Sequence, residues 1–167
     1  MKLTEIFKTL RKEQPKKEEK PSHWIKCEAC GAIMYYKEVV AQQYVCPKCG
    51  FHMKINADDR IVMLADEGSF VELDRGLEPT DPLHFVDSKS YRKRIEEGRA
   101  KTNRSSSAIS GECTIEGKPI QLVVFDFSFM GGSLSSVEGE KIVRAVNRAI
   151  EKRNPLVIVN ASGGARM

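Results

Sequence analysis

The chain's 167 residues, 41% hydrophobic and 30% charged, suit one ordinary soluble globular domain with a small appended module. No stretch approaches the ~20 apolar residues of a membrane span. Residues 1–21 also lack the apolar core of a signal peptide, so a cytoplasmic, reducing compartment is expected.

The net charge of +4 is confined to the N-terminal part: residues 1–60 hold 12 Lys/Arg against 8 Asp/Glu, and residues 61–167 hold 15 of each. That bias is compatible with an anionic partner but far weaker than the basic surface of a dedicated nucleic-acid binder.

In chain order, Ile6, Phe7 and Leu10 mark a short helix over residues 4–10. Residues 11–20 contain no apolar side chain except Pro15. They cannot bury enough surface to offset their ordering entropy, so residues 1–22 are expected to form a flexible leader.

Residues 23–55 read as a separate module. Cys27-Glu28-Ala29-Cys30 and Cys46-Pro47-Lys48-Cys49 are each closed by a glycine, Gly31 and Gly50. β-like patches lie between them at residues 33–36 and 43–45. Two such knuckles at this spacing are the pattern of a four-thiolate zinc ribbon, with Cys27, Cys30, Cys46 and Cys49 as ligands and the metal in a closed, structural role. Disulfides suit a chain without a secretory signal poorly. A redox Cys-x-x-Cys normally opens a helix in a βαβ setting, which is absent here. His52 reads as a solvated side chain beside a metal already satisfied.

Beyond the ribbon, Asn56 or Asp58 starts a short helix running to Ala65, with Gly68 as its C′ residue. A strand over residues 70–73 follows, and then a Pro-rich loop over residues 78–82. Asp87 or Ser88 caps a second helix that presents Tyr91 and Ile95 among many charges. Its basic residues (Arg92, Lys93, Arg94, Arg99, Lys101, Arg104) read as a solvated face, with an anionic ligand as the alternative. Ser105-Ser106-Ser107 reads as a hinge-like polar link. Residues 108–115 and 118–127, joined at Glu116-Gly117, form a β-hairpin. Cys113, inside its first strand, reads as a small buried side chain.

The C-terminal part repeats one device. The apolar run Ile120-Gln121-Leu122-Val123-Val124-Phe125 leads into Gly131-Gly132-Ser133, and Leu156-Val157-Ile158-Val159 leads into Gly163-Gly164-Ala165. Between them lies an amphipathic helix with a capping box at Ser135 and Glu138. Ile142, Val143, Val146, Ala149 and Ile150 fall on one face, and Asn154-Pro155 stops the helix. Strand, Gly-Gly, helix, strand, Gly-Gly is a parallel β-α-β step, so this half is α/β. A Gly-Gly corner lets a ligand approach the backbone closely, and converging N–H groups can hold a phosphate or an oxyanion.

No Ser/His/Asp or Cys/His constellation, P-loop lysine or dinucleotide fingerprint is legible. Backbone N–H groups without an obvious side-chain acid or base suit an enolate or tetrahedral oxyanion on a substrate that brings its own reactivity.

Taken together, the ribbon of Cys27, Cys30, Cys46 and Cys49, the run Asp126-Phe127-Ser128-Phe129-Met130-Gly131-Gly132-Ser133, Gly139-Glu140-Lys141, and Ala161-Ser162-Gly163-Gly164-Ala165-Arg166-Met167 resemble one family. It is the β subunit of the carboxyltransferase component of bacterial and plastid acetyl-CoA carboxylase. The resemblance runs from about His23 to the last residue. It implies a crotonase-like fold of β-β-α turns, here incomplete, over residues 56–167.

It also implies transfer of a carboxyl group from carboxybiotin to acetyl-CoA, giving malonyl-CoA for fatty acid synthesis. The implied partners are an α subunit in an α2β2 assembly, a biotin carboxyl carrier protein and biotin carboxylase. No nucleotide is expected on this chain, since ATP is consumed by biotin carboxylase. Gly163 and Gly164 are implied to hold the thioester enolate. Phe129, Met130, Gly131, Gly132 and Ser133 would line the acyl-CoA channel, with Arg166 also binding substrate, and the ribbon would sit as a lid that can also touch nucleic acid. Glu138 departs from the family's usual small-residue stretch and adds a charge near the channel. Part of such a subunit is expected to lie beyond Met167, and the polypeptide alone is expected to be inactive.

Two other readings stand beside this one. One is a zinc-ribbon nucleic-acid-binding module joined to an inert α/β domain, which has no need of paired Gly-Gly corners. The other is a crotonase-type hydratase or thioesterase, which would need a carboxylate acid/base pair not seen here.

Overall fold

The computed structural model describes residues 24–166, so the leader and the helix expected over residues 4–10 lie outside the described residues. The described residues divide into two compact units on either side of the Met53–Lys54 junction.

In the first unit, β1 (Trp24–Lys26) pairs antiparallel with β2 (Ile33–Tyr35), with Ile25 opposite Met34. Helix α1 (Tyr36–Ala41) follows directly, burying Val39 completely. The β-like patch therefore ends one residue early. Gln43 and Tyr44 are not strand either: both take left-handed φ, and only Val45 bridges, to His52. The two knuckles are built alike. The Gly31 N–H donates to Cys27 O at 2.9 Å and the Gly50 N–H to Cys46 O at 2.8 Å. Both glycines sit near φ +70°, which only glycine adopts freely.

The second unit is a four-stranded sheet in the order β3-β4-β5-β6. Helix α2 (Ala57–Leu64) is capped by Asn56, whose side chain accepts from the Asp59 N–H. It ends at Ala65 in an extended conformation, so Gly68 is not its C′ residue but lies in the following turn. Strand β3 (Val71–Leu73) pairs antiparallel with β4 (Ala108–Ile115), and β4 with β5 (Lys118–Phe125). Glu116 and Gly117, at φ 51° and 73°, form the two-residue turn that matches strand twist. Asp66 clamps this turn, its carboxylate accepting from Thr114 Oγ1 at 2.5 Å and from the Glu116 and Gly117 N–H groups at 2.9 Å. Strand β5 stops at Phe125 rather than Phe127: the Asp126 N–H still donates to Ser107 O, its antiparallel counterpart, at 2.7 Å, but the Ser107 N–H goes to Glu138 Oε1 at 2.8 Å instead of closing the pair.

Helix α3 (Tyr91–Thr102) is capped by Ser90, not by Asp87 or Ser88. Asp87 instead accepts from the Lys89 N–H and from Arg94. The serine link is no hinge: Ser106 and Ser107 are 2% and 0% exposed and fully bonded.

Helix α4 (Ser136–Lys152) crosses from β5 to β6 (Leu156–Val159), which pairs parallel to β5 with Gln121 opposite Leu156. The expected capping box forms at Ser135 and Glu138. The helix, however, is rotated from the expected orientation, keeping only Ile142 and Ala149 of the expected face against the core. It buries Val137, Glu138, Lys141, Ala145 and Ala149, and leaves Val143, Val146 and Ile150 at 53%, 36% and 70% exposure. The cause lies in the sheet beneath. Ser110, Gln121 and Asp74 need polar partners where water is excluded. Arg148 supplies them at 3.1, 3.1 and 2.8 Å, and Lys152 reaches Glu112 at 2.5 Å.

Farther along, α4 packs Ala145 on Ala108, Val123 and Phe125. The opposite sheet face buries Ile109, Cys113, Ile120, Leu122 and Val124 under Ala57 and Ile61 of α2. No helix among the described residues is long and apolar enough to cross a membrane.

Candidate active site and metal centre

The thiols of Cys27, Cys30, Cys46 and Cys49 all lie within 4.8 Å of one another. Cys27 and Cys49 are 3.7 Å apart and Cys30 and Cys46 3.8 Å. A tetrahedron with Zn–S near 2.3 Å has edges of about 3.8 Å, so four sulfurs at these separations fit one zinc ion. Their acidities are split. At Cys46, burial pushes the thiol up, but the Lys48 and Cys49 N–H groups and neighbouring thiols outweigh it and bring it to about 7. At Cys49, the Phe51 N–H is outweighed by burial and the other thiols, which push it to about 12. Crowded thiolates repel, and a bound dication removes that penalty.

In the second unit, the two Gly-Gly corners are brought into direct contact. After β5, Asp126 Oδ1 accepts from the Ser128 N–H at 2.8 Å and its carbonyl from the Phe129 N–H at 3.2 Å. The chain then coils through a short 3-10 turn, Met130–Gly132, with three consecutive left-handed residues at φ 51°, 68° and 65°. After β6, the second corner docks on this turn. The Gly163 N–H donates to Gly131 O at 2.9 Å, the Leu134 N–H to Gly164 O at 2.9 Å, and the Arg166 N–H to Leu134 O at 2.6 Å. Gly132 makes this possible, since a Cβ there would sit 1.9 Å from Ala161 O.

These contacts revise several expectations about individual residues. In this conformation the Gly163 N–H is committed to Gly131 and the Gly164 N–H to Ser162 Oγ at 3.0 Å, so the expected pair of free N–H groups is not present. Only Gly164's acceptor is a side chain able to rotate away.

Phe129 does not line a channel. Its ring is fully buried with Tyr91 and Ile95, and a Cβ on Gly98 would lie 3.1 Å from it. Gly132 is likewise buried. Ser133 is engaged, its hydroxyl and carbonyl accepting from Arg166 Nε and Nη2 at 3.0 and 2.8 Å. The Arg166 side chain is 5% exposed and spends its donors on Ser133, Glu138 and Tyr91 while lying 5.5 Å above the Phe129 ring. It is a structural cation rather than a free substrate hook.

Met130 and Gly131 do face a cavity of about 650 Å³, lined also by Lys54, Arg94, Glu97, Gly98, Lys101, Phe127 and Ser128. Its rim is predominantly basic and its wall carries Phe127, 54% exposed. Lys54 was not legible as a site residue, because nothing in the sequence places it beside the first corner; Phe127 lies in the run that leads into that corner but was not singled out. Arg94 and Lys101 were marked only as an alternative to a solvated face.

Glu138 forms the expected capping box, but its reach to Ser107 and Arg166 was not legible. It is fully buried. Burial favours its neutral form, but Ser135, the Ser107 N–H and Arg166 outweigh that and hold the carboxyl below its usual range. Lys141, 2% exposed, donates to Ser106 Oγ and Ala108 O at 2.7 Å, and its burial lowers its basicity.

Residues 54–167 match the family model of the carboxyl transferase domain, and residues 24–49 match the acetyl-CoA carboxylase zinc finger domain. The acetyl-coenzyme A carboxylase carboxyl transferase subunit beta of Wolinella succinogenes is 65% identical over 167 residues, covering 100% of this chain and 58% of the relative. The subunits of the same name from Prochlorococcus marinus and Thermus thermophilus are 50% and 51% identical over 90% and 88% of this chain, in each case 51% of the relative. The chain thus spans a little over half the length of these relatives. The transcarboxylase 12S core, solved with methylmalonyl-coenzyme A bound, superposes with a TM-score of 0.54 at 23% identity, covering 78% of this chain and 21% of that one. A single-chain long-chain acyl-CoA carboxylase gives the same TM-score at 21% identity, over 66% and 11%. At such identities these structures establish the fold, a crotonase-type α/β arrangement.

Proposed function

Since the chain belongs to the carboxyl transferase domain family, we propose that it forms the acyl-CoA-binding part of an acetyl-CoA carboxylase carboxyltransferase β subunit. It works with an α subunit and receives the carboxyl group from biotin on a carrier protein. The observation that carries this reading is the pair of Gly-Gly corners docked on one another beside a basic-rimmed cavity. Lys54, Arg94 and Lys101 are placed to meet the phosphates of coenzyme A, and Phe127 and Met130 to flank the thioester arm.

Carboxybiotin supplies an activated carboxyl group. Such a carboxybiotin would give up its carboxyl group to the acetyl carbon, and its ureido nitrogen would take the proton that this carbon loses. The protein's task is to hold the thioester oxygen while it carries enolate charge. Rotation of Ser162 Oγ off the Gly164 N–H frees that donor for the oxyanion. Gly163, bonded to Gly131, fixes where that donor points. The ribbon holds one structural zinc.

The test is malonyl-CoA decarboxylation with free biotin as acceptor, by a β subunit carrying this sequence paired with its α subunit. Acetyl-CoA release dependent on both subunits and on biotin supports the reading, and its absence refutes it.

A further inference from the structure

The carboxylate of Glu138 makes more bonds than helix capping requires. Oε2 accepts from the Ser135 N–H at 2.7 Å and from the Ser135 hydroxyl, completing the capping box. Oε1 accepts three further donors: the Ser107 N–H at 2.8 Å, Ser107 Oγ at 2.9 Å and Arg166 Nη2 at 3.2 Å. Arg166 in turn holds Ser133 through Nε and Nη2, reaches Tyr91 Oη at 3.4 Å and covers the Phe129 ring. One carboxylate thus ties together the entry to β4, the start of α4, the first corner and the residue two positions past Gly164.

A surface cap carries no such cost. Here a carboxylate of zero exposure faces a guanidinium of 5% exposure. A buried ion pair of this kind is poor evidence for added stability, because desolvation consumes much of the attraction. What it does confer is a unique geometry, since leaving either partner alone in the interior is strongly unfavourable.

We propose that Glu138 is a positioning residue of the oxyanion corner: through Arg166 it sets the register between the two Gly-Gly corners and so aims the Gly163–Gly164 backbone. This rests on the carboxyltransferase reading above.

The test uses a β subunit carrying this sequence, assembled with its α subunit, and compares wild type with Glu138→Gln. Glutamine keeps the volume and can still accept from the Ser135 N–H through its amide oxygen; its NH2 then stands where Oε1 accepted from Ser107 and Arg166, so the charge and the acceptor that hold Arg166 are lost together. Two readouts are taken: kcat and KM for malonyl-CoA with biotin as acceptor, and amide hydrogen exchange of residues 161–166 against residues 139–152. The expected result is a fall in kcat of about 10- to 100-fold with KM changed by less than about threefold, the signature of misplacement. Exchange should rise over residues 161–166 while the helix stays protected.

Unchanged kcat and unchanged exchange would make Glu138 a helix cap only and overturn the proposal. So would equal loosening of both segments, which is general destabilisation. Should Glu138→Gln fail to assemble, Arg166→Lys decides on the same two readouts. It keeps the charge and removes the fork to Ser133 and Glu138. If the wild-type assembly transfers no carboxyl group, the carboxyltransferase reading fails, and the exchange comparison still decides whether Glu138 sets the corner.

Discussion

Two adjacent glycines in the first corner give a matched pair of perturbations. Gly131 and Gly132 have nearly the same left-handed backbone, φ 68° and 65°, so alanine at either incurs the same left-handed cost of about 1–2 kcal/mol. Their surroundings differ. A Cβ at Gly131 meets no heavy atom within 4 Å, whereas one at Gly132 would lie 1.9 Å from Ala161 O and 3.1 Å from Ser162 Cα. The Ala161 carbonyl must therefore retreat by about 1 Å, an overpacking cost of about 1–3 kcal/mol beyond the backbone cost. Gly132→Ala should thus destabilise by about 2–5 kcal/mol and Gly131→Ala by about 1–2 kcal/mol. Urea unfolding followed by far-ultraviolet circular dichroism measures both. Because the retreating carbonyl precedes Gly163 by two residues, Gly132→Ala should also raise hydrogen exchange at residues 161–166. Equal costs for the two variants would refute the reasoning, since only the contact between the corners distinguishes them.

Further outcomes follow from other parts of the chain. Metal analysis should find one zinc per chain, and Cys27→Ser should lower that occupancy, whereas full occupancy in the variant would rule out the four-thiolate site. Ile150→Lys, on the exposed side of α4, should change unfolding free energy by less than about 0.5 kcal/mol. Ala145→Leu, at a fully buried position on the same helix, should cost about 1–3 kcal/mol. Asp66 is held below its ordinary carboxyl range chiefly by Thr114 Oγ1 and then by the Gly117 N–H, against burial and with help from the Glu116 N–H. A carboxyl depressed in the folded state stabilises above its unfolded value and loses that contribution as pH falls through the folded one. Unfolding curves between pH 7 and 3 should therefore show a shallower acid loss for Asp66→Asn than for wild type.

What could be read from the sequence was what local chemistry dictates. The Cys-x-x-Cys spacing, the Glu116-Gly117 turn, the Asn56 start and the Ser135/Glu138 box each depend on residues within a few positions of one another. The parallel step from β5 to β6 followed from two apolar runs flanking one helix. The misreadings occurred where a distant partner decides. The apolar positions of α4 suggest an inward face of Ile142, Val143, Val146, Ala149 and Ile150; Ile142 and Ala149 do pack inward, but Asp74, Gln121 and Ser110 across the sheet call for Arg148 where Val143, Val146 and Ile150 were expected. Ser105-Ser106-Ser107 is polar enough to look like a hinge, yet Glu138 and Lys141 of α4 bury its last two residues. The corners were legible as a repeated device. Their mutual hydrogen bonding, which occupies the Gly163 N–H and turns Arg166 inward, was not.

The most direct test of the central claim is carboxyl transfer itself. A β subunit carrying this sequence, paired with its α subunit and given malonyl-CoA and free biotin, should release acetyl-CoA in proportion to carboxybiotin formed. The Lys54, Arg94 and Lys101 charges should govern KM for malonyl-CoA, so neutralising them together should raise KM and leave kcat nearly unchanged. Absence of biotin-dependent acetyl-CoA release from the assembled, zinc-loaded pair would contradict the account.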